Sequence, residues 1–215
     1  MKQNLSDQDR DRLETLIADM EKRTNTQIVL ALIQRSDIYA ELPWKAFALG
    51  ASTTGLMIYI LNLLLHDWHE TITVLIAVAG VLAGGAVLAL LSVLIPGFAK
   101  QFLSAIRAEV EVQQYAESLF LSRELFATSK RTGILVLVSL FERKVVVIPD
   151  KGLSDHLAKE AMQRIIPAMT TFLKQKEIRQ AFEAGLEQLS RILGTDVAGP
   201  GKNELSDEII EEKGV

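Results

Sequence analysis

Two uncharged stretches constrain this chain more than any other feature. "AFALGASTTGLMIYILNLLL" fills positions 46–65 and "TITVLIAVAGVLAGGAVLALLSVLI" fills 71–95, with only "HDWHE" between them. A bilayer core about 30 Å thick is crossed by roughly 20 apolar residues in a helix, so each stretch is long enough to span. The five-residue link makes the pair a helical hairpin whose two ends lie on one side. Ala51 and Gly55 on the first helix, and Gly80 and Gly84 on the second, have the small-xxx-small spacing that lets helices approach closely. Trp44 and Trp68 mark the ends of the first span, where interfacial aromatics are expected.

Orientation follows from the lysines and arginines near the span ends. The link has none, whereas Arg35, Lys45, Lys100 and Arg107 flank the hairpin. The expectation is a multi-pass protein of a bacterial inner (plasma) membrane with both termini cytoplasmic. The charge-dense start "MKQNLSDQDRDRLETLIADM" lacks the apolar core and cleavage site of a signal peptide. A formal net charge of -4 supplies no basic field and argues against a nucleic-acid partner. With no cysteine, disulfides, thiolate chemistry and cysteine-ligated metals are excluded.

The flanks carry the periodicities of an α/β domain. Ser6 and Asp9 have capping-box spacing before a stripe of Leu13, Leu16, Ile17 and Met20, which predicts a helix over 6–23. "QIVLALIQ" at 27–34 reads as a strand covered on both faces. Beyond Pro96 and Gly97, residues 98–128 read as helix, with Phe102, Ile106, Val110, Leu119 and Phe120 near one face. "GILVLVSL" (133–140) and "KVVVIPD" (144–150) read as strands joined through "FER" as a hairpin. Residues 154–193 read as helix interrupted near Pro167 and ended by Gly194, and the polar, acidic stretch 196–215 as a disordered tail. A lone strand cannot satisfy its backbone groups, so the two flanks must join. The expected organisation is a first domain part at 1–44, a transmembrane hairpin at 45–96, a second domain part at 97–195 and the tail. The expected fold is α/β: a small mixed sheet of three or more strands with helices on both faces, split by the inserted hairpin.

Three blocks of this sequence resemble the TPM domain family: "LETLIADMEKRTNTQIVLALI", with Glu21 and Gln27-Ile28-Val29; "YAESLF" at 115–120; and "TGILVLVSLFERKVVVIPDKGL". The resemblance implies an α/β sandwich. It also implies a role either in assembly, repair or turnover of membrane proteins or, alternatively, as an acid-phosphatase-like phosphomonoester hydrolase. Bacterial members often accompany LemA-type membrane proteins, which suggests another membrane protein as partner beside the lipid bilayer. Where the family has an acidic Asp-Asp-Asn-Gly approach and a Gly-Tyr-Gly-Leu exit, this chain has "SKRTG" and "PDKGL".

No residue set is assigned a catalytic, cofactor or metal role. His66, Asp67, His69 and Glu70 are of ligand type but belong to a polar five-residue turn. Ser154, Asp155 and His156 are consecutive, and neighbours on a helix point different ways. No phosphate-binding glycine loop, dinucleotide fingerprint or zinc-protease helix occurs. If the first two strands are parallel, "SKRTG" and "PDKGL" meet at one end of the sheet. Lys130, Arg131, Asp150, Lys151 and Asp155 then form the candidate interaction surface. The opposite hairpin tip carries Arg143 and Lys144 as candidate lipid contacts.

Overall fold

The computed structural model describes residues 5–64, 71–153, 157, 159–194 and 209–214. Two compact units emerge, one of residues 1–37 and 109–215, the other of residues 38–108.

The first unit is a mixed α/β domain built on a four-stranded sheet of order β3-β2-β1-β4, comprising β1 (Gln27–Arg35), β2 (Gly133–Ser139), β3 (Lys144–Pro149) and β4 (Ile210–Gly214). β1 and β2 are parallel, with Leu30 opposite Val136, so segments more than 100 residues apart share one ladder. β2 and β3 form the expected antiparallel hairpin. The fourth strand was not expected. Residues 210–214, read from sequence as part of a disordered tail, pair in parallel with the outer edge of β1, Ala31 opposite Ile210 and Arg35 opposite Gly214.

Strand alternation feeds two cores. Ile28, Leu30, Leu32, Ile134, Val136 and Val138 face one side. There they pack with Leu13, Ile17 and Met20 of α1 (Asp7–Thr24), with Met169 of α6 (Ile166–Lys174) and with Phe182 of α7 (Ile178–Leu193). Val29, Ala31, Ile33, Leu135 and Leu137 face the other side. Their partners are Val112, Ala116, Leu119 and Phe120 of α5 (Ala105–Ser122). Central strands buried on both faces explain why β1 and β2 read as nearly continuous apolar runs.

α1 starts as predicted: Ser6 Oγ accepts from Asp9 N–H at 3.2 Å, and the Asp9 carboxylate accepts from Ser6 N–H at 3.3 Å. The Asp9 carboxyl lies below its ordinary range chiefly because of the Ser6 hydroxyl bond, with Arg179 and Arg12 helping. The buried face is Leu13, Ile17 and Met20, while Leu16 is exposed. Asn25, left-handed at φ 52°, ends the helix by donating its N–H to Glu21 O.

Two helical expectations need correction. Residues 98–128 are not one helix: α4 (Pro96–Ala99) and a 3-10 turn (Lys100–Phe102) end at an extended Leu103, ψ 120°. α5 restarts in a new phase, burying Ala108, Val112, Ala116, Leu119 and Phe120, while Ile106 is 77% exposed. Residues 154–193 do not break near Pro167: a π-helical turn at Ala161–Ile165 runs straight on into α6, and the break comes instead between Lys174 and Ile178. A proline ring clashes with the carbonyl four residues back and offers it no N–H, and the wider turn ahead of Pro167 relieves the clash. Gly194 does cap α7.

The link between β2 and β3 is anchored inward. Glu142, 4% exposed, accepts from Ser36 N–H at 3.0 Å, from Ser36 Oγ at 2.7 Å and from the Ser139 hydroxyl. Arg35 lies over the Phe141 ring at 4.7 Å.

In the second unit, α2 (Glu41–Leu64) packs along α3 (Thr71–Leu94). Both are long and apolar enough to cross a membrane, and only 6% of each hydrophobic window is buried. The tightest crossing involves Gly50, Gly84 and Gly85: a Cβ on Gly50 would lie 2.5 Å from Gly84 O, and one on Gly84 would collide with the Thr54 hydroxyl. Gly55 and Gly80 make ordinary contacts with Val81 and Ile58. "HDWHE" lies outside the described residues.

Candidate functional site

The approach to β2 and the exit from β3 meet at one end of the sheet. Thr128 O accepts from Arg131 N–H at 3.0 Å, and Thr128 Oγ1 accepts from Thr132 N–H at 3.0 Å, which folds the approach into a turn with Arg131 at φ 56°. Gly152 N–H donates to Arg131 O at 2.9 Å, and Asp150 N–H to Gly133 O at 2.8 Å, tying the two loops together.

Asp150 is 4% exposed and accepts three bonds: from Arg131 Nε at 2.7 Å, from the Arg131 terminal nitrogen at 2.9 Å and from Lys151 N–H at 2.7 Å. Burial pushes the Asp150 carboxyl up, but the Arg131 bond, the Lys151 N–H and the charges of Arg131 and Lys151 outweigh it and hold the group below its ordinary value. Arg131 is held protonated by the same pair, and its guanidinium sits 5.9 Å from the Phe126 ring centre. Arg131 and Asp150 thus satisfy each other in a two-pronged pair. Among the described residues at this end, Lys130 and Lys151 present exposed ammonium groups beside the paired Arg131. Asp155 lies outside the described residues, as do Ser154 and His156.

At the other end of the β2–β3 hairpin, Arg143 is exposed at φ 55° and Lys144 pairs with Glu109 at 3.3 Å. Both border a cleft of about 440 Å³ floored by Val145, Val146 and Val147 and flanked by Met162 and Thr170.

Sequence reasoning missed a third cluster, because its members are far apart in the chain. Glu211 of β4 pairs with Arg10 of α1. Glu212 accepts from the Tyr115 hydroxyl at 2.9 Å and from Arg123 at 2.9 Å. Burial first, and the neighbouring Glu212 carboxylate second, push the Tyr115 phenol up to about 12, so it stays a proton donor at neutral pH. No group of three or more histidine, aspartate or glutamate side chains suited to a metal ion occurs among the described residues.

Residues 101–192 match the family model of the TPM domain. The second and third resembling blocks fall within that stretch and the first lies outside it, so the resemblance read from the sequence holds over the second half of the α/β unit. Among solved structures, the NMR structure of the BA42 protein from the psychrophilic bacterium Bizionia argentinensis is similar, with a TM-score of 0.54 and 13% identity over 98% of this chain and 97% of that chain. At that identity the likeness concerns the fold. No curated protein matches the chain.

Proposed function

We propose that this chain is a membrane-anchored TPM-like interaction module of the bacterial inner membrane that assists assembly, repair or turnover of other membrane proteins. The carrying observation is the apolar surface of α2 and α3. Leu56, Met57, Leu63, Leu75, Ile76 and Leu94 are each more than 60% exposed. Soluble proteins seldom expose contiguous apolar patches beyond a few hundred Å², and a bilayer covers such a surface. With Arg35, Lys45, Lys100 and Arg107 flanking the hairpin, positive charge favours cytoplasmic termini.

The pairing of Asp150 with Arg131 supports a binding role over hydrolysis: this carboxylate is spent on loop structure. The exposed Lys130 and Lys151 are the partner-facing charges of the module. At the hairpin tip, Arg143 and Lys144 would add lipid headgroup contacts, worth about 1 kcal/mol each near an anionic surface, with Glu109 competing for Lys144.

The test is crosslinking and affinity capture from native membranes. The full chain is expected to sediment with membranes, resist extraction by alkaline carbonate and capture a defined membrane protein. Lys130→Glu/Lys151→Glu is expected to abolish that capture without releasing the chain from the membrane. Carbonate-extractable protein would overturn the anchor. Capture that ignores the double reversal would overturn the lysine surface, and phosphomonoester hydrolysis lost on Asp150→Asn would replace the module by an enzyme.

A further inference from the structure

The geometry points to the outer edge of β1 as a reader of extended acidic strands, one that the chain's own C-terminal segment occupies in cis and that a partner polypeptide carrying the pattern apolar-apolar-Glu-Glu-x-Gly enters by displacing it. This goes beyond the membrane placement and does not depend on it.

Four features make this edge a built groove. The backbone ladder runs from Ala31 to Arg35. In strand addition, main-chain bonds of this kind supply affinity while alternate side chains supply specificity. Ile209 is 2% exposed in the α1-side core, and Ile210 packs against the α5-side core, so the two apolar residues anchor on opposite faces. Each glutamate then meets its own cation: Glu211 pairs with Arg10 of α1, and Glu212 with Arg123 and the Tyr115 hydroxyl of α5. Finally, Gly214 has φ 76°, and a Cβ there would collide with Arg35 O, so the sixth position demands glycine.

Charge complementarity, two basic anchors facing two consecutive acids, commits the groove to an acidic segment. The tail leaves part of the groove unmatched, because Arg10 Nε is buried with no acceptor among the described residues. β4 is an edge strand that pairs only with β1, so its exchange leaves the β1–β2 and β2–β3 ladders in place.

The test uses the full chain and a fluorescently labelled synthetic peptide of residues 207–214. Glu211→Lys/Glu212→Lys in the chain is expected to unlatch the tail and to bind the peptide saturably by anisotropy, at least tenfold tighter than wild type, whose tail competes. A peptide with both glutamates reversed, or with Gly214→Ala, is expected to lose at least tenfold. Arg10→Glu/Arg123→Glu in a chain that keeps its own glutamates should likewise unlatch the tail, and should switch preference to the reversed peptide. Absence of binding by the folded, unlatched chain, or binding indifferent to these reversals, would overturn the proposal. If the unlatched variant does not fold, the wild-type chain decides. Excess peptide is expected to strip hydrogen-exchange protection from residues 210–214 while β1 keeps its own, and unchanged protection at 210–214 would overturn the reading.

Discussion

Glu21 offers a sharp test of how the split domain is held together. Its position near the end of α1 opposes the helix dipole, which favours cations there, and its side chain is 6% exposed. The reason lies in β1. Gln27 N–H donates to Thr132 O on the β2 side, so the next amide, Ile28 N–H, points to the outer edge, and β4 does not begin to pair until Ala31. Glu21 Oε1 accepts that amide at 2.7 Å, and Oε2 accepts from Gln27 Nε2 at 3.4 Å. In Glu21→Ala the Ile28 amide loses its acceptor inside the core, which costs about 1–3 kcal/mol. Relief of the buried carboxylate and alanine's helix propensity of a few tenths of a kcal/mol offset part of this. The expected net loss is about 2 kcal/mol. For a domain of this size each kcal/mol is worth about 2–4 °C, so melting is expected about 4–8 °C lower by circular dichroism. Glu21→Gln keeps an oxygen at the same place and is expected to cost about 1 kcal/mol or less. Hydrogen exchange at Ile28 should rise in the alanine variant and stay near wild type in the glutamine one. If glutamine proves as damaging as alanine, the charge and not the acceptor matters. If alanine melts with wild type, the edge-capping argument is wrong.

Two further outcomes are expected. The Asp150 carboxyl is depressed on folding, so its contribution to stability is complete above the ordinary value of 3.8 and is lost as pH falls through the lower folded value. Asp150→Asn should therefore destabilise the chain at pH 7 and converge toward wild type in strongly acidic buffer, as read by denaturant midpoints across pH. In the hairpin, Gly84→Ala meets the Thr54 side chain and is expected to cost about 1–3 kcal/mol by overpacking. Gly55→Ala, whose Cβ would sit 3.6 Å from Val81, should melt close to wild type in detergent.

Much of the architecture is legible because burial and local chemistry leave marks on neighbouring residues. β1 and β2 are apolar runs because both faces are covered, and Ser6 with Asp9 marks the start of α1 through a contact spanning three positions. Asp150 and Arg131 could be placed at one end of the sheet because a parallel β1–β2 pair forces their loops together. Their tight mutual pairing is not legible, since nothing local distinguishes a spent arginine from a partner-facing one. The phase of α5 is hard to read for a related reason: its sheet-facing side includes Ala116, a small residue, while the large apolar Ile106 is exposed.

The fourth strand shows where reading by composition stops. "EIIEEKG" is acidic, with only two apolar residues, and such segments bury too little surface to order themselves. What orders residues 210–214 is supplied from elsewhere: the unfilled edge of β1, Arg10 about 200 positions upstream, Tyr115 of α5 and Arg123 just past its end. The same logic links this strand to Glu21. Together they satisfy successive parts of one sheet edge, the carboxylate capping Ile28 and the tail covering Ala31 to Arg35. An edge left open by both would be a template for indiscriminate pairing. An edge closed at one end by a side chain of α1 and at the other by a charge-matched strand is selective for what replaces that strand.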